Sequence, residues 1–129
     1  MEKRRSIDVA GARHVNPIPS ASRRGPFVVS GAITGADPAT GKVPEDLDAQ
    51  CAAMFANVRT IIAAAGGTPE DIVKMNVWIT DRALRPIMNK YWVEMFPDPA
   101  SRPARHTIAT GDFTPPVQIQ CDLMAIIGD

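Results

Sequence analysis

The residues with the clearest chemical potential lie near the end of the chain, in the run Arg102-Pro103-Ala104-Arg105-His106-Thr107. Arg105 comes just after a proline at the start of an extended segment, where the backbone is held stiffly and the side chain can project. A guanidinium held in this way is planar and permanently charged, and it can bind a carboxylate through two parallel hydrogen bonds. We therefore expect Arg105 to anchor an organic acid. The alternative is that Arg102 and Arg105 are surface charges or members of a structural ion pair, since most arginines have only such a role.

A second candidate is the pair Ser30-Gly31, which interrupts the apolar run from Phe27 to Ile33. That run predicts a buried strand, because β-branched and aromatic residues are bounded by turn residues on both sides. A glycine inside a strand marks a bulge or a place where another backbone or a ligand comes close, and the serine adds a small hydroxyl. A simple bulge would explain the pair equally well.

Histidine and cysteine do not predict a metal site, because His14, His106, Cys51 and Cys121 have no ligand spacing among them. His106 alternates to the strand face opposite Arg105, which favours packing or a structural hydrogen bond over catalysis. His14 lies in a loop from which it could reach a cleft, but a lone histidine is weak evidence for a site. Both cysteines lie in patterns that predict burial, so we interpret them as packing residues.

The composition predicts one soluble domain, residues 1–129, with no general attraction to polyanions. Fourteen basic residues balance fourteen acidic ones, which argues against nucleic acid as a partner. The amino terminus is charged but is not followed by the apolar core of a signal peptide, and no stretch approaches membrane-spanning length. We therefore expect a cytoplasmic protein that does not bind membranes.

Two amphipathic helices are predicted, because apolar residues recur every three or four positions in two segments. The first stripe runs from Leu47 to Ala65, with Pro44-Glu45-Asp46 marking the first turn and Gly66-Gly67 ending the helix. The second helix follows Asp81 as its cap, and its stripe extends from Leu84 to Met95. Both helices need a sheet to lie on.

Alternating or continuous apolar residues predict four strands. In the strand from Ile72 to Thr80, Val73 is placed on the buried face, and the segment Ser22 to Pro26 is predicted as loop. The order of elements predicts an α+β fold in which a mixed sheet carries both helices on one face. The other face combines amides, an aspartate and a tryptophan, which we interpret as an oligomer surface. The predicted strands are Phe27 to Ile33, Ile72 to Thr80, Arg105 to Thr110 and Val117 to Ile127.

Taken together, these residues resemble the reactive-intermediate deaminase superfamily, known as RidA or YjgF and once labelled endoribonuclease L-PSP. The resemblance spans nearly the whole chain and implies a chorismate-mutase-like fold. It also implies a homotrimer whose sheets form a central barrel, with three clefts between subunits. It rests on Ser30-Gly31, the segment Pro38 to Pro44, Gln50, Asn57, Gly66, the segment Asp71 to Lys74, Asp81, Asn89 and Pro103-Ala104-Arg105.

The resemblance further implies that Arg105 binds the carboxylate of a small imino or keto acid in the cleft, and that the backbone around Ser30-Gly31 lines the same cleft. Relatives with imine chemistry place a glutamate on the last strand to activate or position water, and we expect the reaction here to need no cofactor. Gln120 stands at that position here. An amide can orient water but cannot accept a proton at neutral pH. Asp122 shares the face of Gln120 but lies two residues along, about 6–7 Å away.

Two further positions of the implied site differ from many relatives. Thr107 stands where those relatives carry a cysteine, and Ile18 lies in the neighbourhood of an aromatic residue that they supply from the amino-terminal loop. We assign Arg105 and Gln120 as catalytic residues. We assign Ser30, Gly31, Arg105, Ile18 and Thr107 as residues that bind the substrate.

Three functions follow from this assignment. The first is an enamine or imine deaminase, a hydrolase that acts on a small metabolite with a carboxylate. The second is a carboxylate-binding or regulatory protein that uses the same cleft without turnover, an alternative that Gln120 keeps open. The third is ribonuclease activity, against which neutral net charge and the lack of an acid/base histidine pair both argue.

Overall fold

A six-stranded sheet forms the framework of the protein, and both helices pack on one of its faces. The computed structural model describes residues 2–9 and 16–128, so His14 lies outside the described residues. The order across the sheet is β1-β2-β3-β6-β4-β5. All neighbours are antiparallel except β4 and β5, which are parallel. The strands are β1 (Arg5–Ile7), β2 (Ala21–Arg24), β3 (Phe27–Ser30), β4 (Ile72–Ile79), β5 (Ala104–Ala109) and β6 (Ile119–Ile126); the helices are α1 (Leu47–Ala64) and α2 (Arg85–Met95).

This arrangement confirms the predicted α+β class and mixed sheet. Parallel strands cannot be joined by a tight hairpin, and α2 provides the crossover between β4 and β5. The core lies between the sheet and the two helices, where side chains such as Met54 and Phe55 of α1 meet Met75 and Leu123 of the sheet. No helix of the described part of the chain is long and apolar enough to cross a membrane.

Both helices begin slightly differently from the prediction. Asp46 is the cap of α1 and not part of its first turn, because its Oδ2 accepts a hydrogen bond from the backbone N–H of Ala49 at 2.9 Å. Asp81 caps a 3-10 turn, Arg82–Leu84, which leads directly into α2. In both cases the carboxylate satisfies an N–H that the first turn of a helix leaves unpaired.

The loop predicted from Ser22 to Pro26 is wrong in its first part, because Ala21–Arg24 forms β2 and pairs with β3. Gly25 makes the turn between them with a positive φ of 58°. Arg23 lies on the helix-facing side and donates from Nη1 to the carbonyl of Ala65, at 2.6 Å. Its charge therefore caps the end of α1, a role that the local pattern of two adjacent arginines does not indicate.

Val73 is not buried as predicted but is 49% exposed. The register between β4 and β6 shifts between Ile72 and Lys74, so the alternation of faces is interrupted at Val73. Met75 and Val77, after the shift, are fully buried as predicted.

The two cysteines pack in the core as predicted. Cys51 on α1 is 1% exposed and Cys121 on β6 is fully buried, and both are free thiols. Burial raises the pKa of Cys51 to about 12 and raises that of Cys121 as well. Both side chains are therefore neutral thiols at physiological pH and poor nucleophiles.

Gln50 is a fully buried polar residue that ties α1 to the chain before β6. Its Nε2 donates to the carbonyl oxygens of Pro44 at 2.8 Å and Pro116 at 2.9 Å. Its Oε1 accepts from the backbone N–H groups of Gln118 at 2.6 Å and Ile119 at 3.2 Å. The amide thus uses both donor hydrogens and accepts two bonds, which leaves no polar group of this side chain unpaired.

We expect Gln50→Leu to lower the free energy of unfolding by about 3 kcal/mol or more, because each buried polar group left without a partner costs about 1–3 kcal/mol. Urea unfolding at a fixed protein concentration would measure the loss. Gln118→Leu is the matched control, since it removes a nearby side-chain amide that makes no hydrogen bond within the described residues. A loss of less than about 1 kcal/mol for Gln50→Leu would contradict the structural role.

Candidate functional site

Arg105 lies on the face of β5 that points toward the helices. It is paired with Met75 of β4, which is paired in turn with Leu123 of β6, and both of these neighbours are buried in the core. The guanidinium carbon of Arg105 is 4.8 Å from the ring centroid of Trp92 on α2. This cation–π contact holds the charged group against the protein, at the edge of the sheet.

The Arg105 guanidinium has no anionic partner in the described part of the chain. Its Nη1 is buried and makes no hydrogen bond there, and the salt bridge found among those residues joins Lys90 to Asp48. Burial, and to a smaller extent the positive charge of Arg85, lower the pKa of Arg105, but an arginine remains charged at neutral pH. Because buried donors are normally hydrogen-bonded, this N–H group is available to an acceptor from outside the chain.

The sequence leaves a purely structural role open for both Arg102 and Arg105, and Arg102 has such a role. Its Nε donates to the carbonyl of Phe96 at 2.8 Å, and its Nη2 to that of Pro97 at 3.4 Å. These bonds fix the chain as it leaves α2 and enters β5. Two arginines only three positions apart in sequence therefore differ fully in their surroundings.

Thr107 lies two residues after Arg105 on the same face of β5, paired with Val77. It is partly buried, and its hydroxyl makes no hydrogen bond within the described residues. We call Arg105, Thr107 and Trp92 the arginine half-site. His106, between Arg105 and Thr107, lies on the opposite face beside Asn76, as predicted. It is exposed there and its side chain makes no hydrogen bond within the described residues, so the predicted packing or structural hydrogen bond is not found.

The segment Ser30-Gly31 forms a bulge between β3 and β6. Val29 pairs with Met124 and the next pairing joins Ile33 to Cys121, so four steps along one chain oppose three along the other. The predicted strand therefore ends at Ser30 and not at Ile33. In the gap, the Ser30 hydroxyl accepts from the N–H of Leu123 at 2.9 Å and donates to the carbonyl of Gly31 at 2.8 Å.

Glycine at position 31 is not required by any close contact with the residues that the structure describes. A Cβ at Gly31 would meet only the carbonyl oxygens of Pro19 and Ser20, at 3.7 and 3.8 Å, which is ordinary van der Waals contact. The backbone at Gly31 consequently has room for the approach of a group from outside. The bulge is therefore present, and an approach of this kind is compatible with it.

Gln120 lies on the sheet face opposite the helices. It is paired with Trp78 of β4, which is paired with Ile108 of β5. Its side-chain amide is partly buried and makes no hydrogen bond within the described residues. Asp122, farther along the same face, accepts a hydrogen bond from Nδ2 of Asn76 at 3.1 Å. We call Ser30, Gly31 and Gln120 the amide half-site, since Gln120 belongs to β6 and the Ser30-Gly31 bulge lies beside that strand.

The two half-sites do not meet within one chain. Arg105 and Gln120 project from opposite faces of the sheet. Ser30 and Arg105 lie three strands apart in the order β3-β6-β4-β5, which is about 14 Å at the usual strand spacing. Ile18 is 54% exposed in the segment before β2. A small ligand could touch both half-sites only if different copies of the chain supplied them.

The open face of the sheet, opposite the helices, carries large apolar side chains. Ile126 is 53% exposed, Phe27 47% and Met124 40%. Phe27 pairs directly with Ile126, and Trp78 lies farther along the same face. Exposed apolar side chains grouped in this way on a sheet are typical of an interaction surface.

A cavity of about 420 Å³ lies elsewhere, between α1 and residues 32–41. Asn57, on its wall, donates from Nδ2 to the carbonyl oxygens of Thr34 and Ala36, both at 2.8 Å. The cavity contains neither half-site. No group of three or more His, Cys, Asp or Glu side chains in residues 2–9 and 16–128 could hold a metal ion.

Sequence reasoning missed two residues near Arg105. The sequence pattern places Trp92 only in the apolar stripe of the second helix, and it gives no role to Arg85, whose charge contributes to lowering the pKa of Arg105. The contact between Trp92 and Arg105 joins a helix to a strand, and no local pattern indicates such a contact. The one available signal was the spacing of Arg85 and Trp92, two turns apart on one face of the predicted helix.

Comparisons with known proteins agree on one family. The sequence model of the family described as "Endoribonuclease L-PSP" matches residues 15–127. A RutC family protein of Aquifex aeolicus is 32% identical over 98 residues, which cover 76% of this chain and 78% of that protein. The Escherichia coli protein named "Putative reactive intermediate deaminase TdcF" is 30% identical over 90 residues, which cover 69% of this chain and 70% of that protein.

Solved structures have the same fold. RidA from the Antarctic bacterium Psychrobacter is 27% identical and superposes with a TM-score of 0.87, covering 95% of this chain and 99% of that one. The crystal structure of E. coli TdcF with bound serine is 25% identical and also has a TM-score of 0.87, covering 96% of this chain and 99% of that one. The predicted fold is thereby confirmed.

Proposed function

Because this chain belongs to the endoribonuclease L-PSP family, to which the RidA/YjgF proteins also belong, we propose that it binds a small carboxylate metabolite and hydrolyses an enamine or imine group in it. The observation that carries the proposal is the buried, unpaired Nη1 of Arg105. A fixed cation without a counterion is suited to a carboxylate, which accepts two hydrogen bonds from the guanidinium fork. The structure of E. coli TdcF with bound serine supports a small ligand that carries a carboxylate.

In the proposed reaction, Arg105 holds the carboxylate and Gln120 orients a water molecule toward the C=N carbon. An enamine first takes a proton at carbon and becomes the iminium form. The water oxygen then bonds to the carbon of the C=N group, the two water protons pass to the nitrogen, and the C–N bond breaks to give a keto acid and an ammonium ion. Gln120 only positions the water because its amide cannot accept a proton. Thr107, Ser30, Gly31 and Ile18 line the site in this proposal.

A homotrimer would bring the two half-sites together. We propose that the open face turns inward, so that the sheets form a central barrel and each cleft receives the arginine half-site of one copy and the amide half-site of the next. The opposite orientation of Arg105 and Gln120 in one chain supports this arrangement, as do Phe27, Met124 and Ile126 on the open face. Such a head-to-tail contact closes into a ring when the rotation fits.

A second candidate function is carboxylate binding without turnover. Gln120 favours it, because a positioned general base contributes roughly 10²–10⁴ in rate and an amide supplies none of that. The two candidates share the ligand and the cleft. They differ only in whether water attacks the bound imine.

A competition assay tests hydrolysis directly. A partner enzyme generates 2-aminoacrylate in the presence of semicarbazide, which traps the imine as a semicarbazone with a measurable absorbance. A hydrolase diverts the imine to pyruvate, so we expect less semicarbazone with the wild-type protein than with Arg105→Ala. Equal trapping by the two proteins would remove the hydrolase proposal and leave binding to be measured separately.

A further inference from the structure

A second arginine lies near Arg105. Arg85 is the first residue of α2 and is partly buried. It precedes Trp92 by seven residues, so the two side chains leave the same face of the helix, about 10 Å apart along its axis. Arg105 stands over the ring of that same Trp92. The helix face that holds Arg105 therefore also carries a second guanidinium.

No acid neutralises Arg85 in the described part of the chain. Its side chain makes no hydrogen bond or ion pair there, and the first turn of α2 contains no acidic residue. Asp81 is close in sequence, but its Oδ1 accepts from the N–H of Ala83 at 2.9 Å.

The repulsion between the two arginines acts on the site itself. The positive charge of Arg85 contributes to lowering the pKa of Arg105, after the larger effect of burial. One carboxylate on Arg105 would neutralise only one of the two charges. A ligand with two acidic groups would neutralise both.

We propose that Arg85 binds a second acidic group of the ligand whose first carboxylate is held by Arg105, so that the preferred ligand is a dicarboxylic keto or imino acid. This inference rests on the proposed function, because it takes Arg105 as the first anchor. Arg85 then determines specificity by charge, since a monocarboxylate leaves it unpaired. Ligand length decides whether both arginines can be reached at once.

Calorimetric titration with keto acids tests the inference. The probes are 2-oxobutanoate, which has one carboxylate, and oxaloacetate, 2-oxoglutarate and 2-oxoadipate, which have two at increasing separation. We expect the best-fitting diacid to bind about tenfold more tightly than 2-oxobutanoate, and Arg85→Gln to reduce that ratio to about one. The 2-oxoglutarate ω-methyl ester, which has the same chain with one charge, should bind like 2-oxobutanoate.

Arg82→Gln is the matched control. Arg82 lies in the 3-10 turn three residues before Arg85 and is exposed, so its replacement removes the same charge and should keep the diacid preference. If wild type binds 2-oxobutanoate as tightly as every diacid, or if Arg82→Gln and Arg85→Gln act alike, the role of Arg85 is refuted while carboxylate binding by Arg105 stands. If no keto acid binds at all, the proposed function itself fails.

Discussion

Replacing Arg105 by methionine should weaken carboxylate binding at least about a hundredfold, because two charge-assisted hydrogen bonds of about 1.5–3 kcal/mol each would be lost. Methionine keeps an unbranched stem that can pack against Trp92, so the variant removes the charge with little loss of packing. Calorimetric titration with a keto acid would measure the affinity. The affinity of Arg105→Lys should fall between those of wild type and Arg105→Met, since lysine keeps the charge but lacks the planar fork.

The matched control for this variant is Arg102→Met. Arg102 donates to the carbonyl oxygens of Phe96 and Pro97. Its loss should therefore lower the unfolding temperature and have little effect on the affinity for the keto acid. Thermal unfolding of both variants separates a damaged fold from a damaged site. An affinity within about threefold of wild type for a folded Arg105→Met would show that the carboxylate binds elsewhere.

Gln120→Glu should raise the rate of imine hydrolysis by about 10² or more, the usual contribution of a positioned general base. The semicarbazide competition assay measures the rate. The gain should be present at neutral pH and should disappear as the pH falls through the pKa of the new carboxyl group, about 4.3 for an unperturbed glutamate. Wild type should show no such loss, because an amide does not titrate in this range.

Gln118→Glu provides the matched control for charge. It lies two residues before Gln120, about 6–7 Å away along the chain, and should give no gain. If wild type is inactive and Gln120→Glu is active, the cleft is a binding site that lacks only a base, and the second candidate function is supported. If both proteins are inactive while keto acids still bind, hydrolysis at Gln120 is refuted.

The helices and the long strands were predictable because their patterns are local. The stripe from Leu47 to Ala65 and the alternation from Met75 to Ile79 each repeat with the period of one element, and both are buried as expected. The strand β2 was not predictable in this way. Arg23 looks like a loop residue in sequence, and only the structure shows that its guanidinium caps α1 at Ala65.

The site was predictable in its residue types but not in its geometry. Pro103, close before Arg105, and the fork-shaped guanidinium of Arg105 indicated an anion anchor. The structure leaves Nη1 of that guanidinium unpaired within the described residues. The support of Arg105 by Trp92 and the influence of Arg85 depend on how α2 crosses between β4 and β5. Such contacts join distant parts of the chain, so periodicity cannot reveal them.

The separation of the two half-sites has a genetic consequence. In the proposed ring each chain gives its arginine to one neighbour and its amide to the other, so a copy that lacks Arg105 and a copy that lacks Gln120 are defective in different clefts. When equal amounts of the two assemble at random, about one quarter of the clefts receive both intact groups. Two alleles that are each inactive alone would therefore complement each other in one cell.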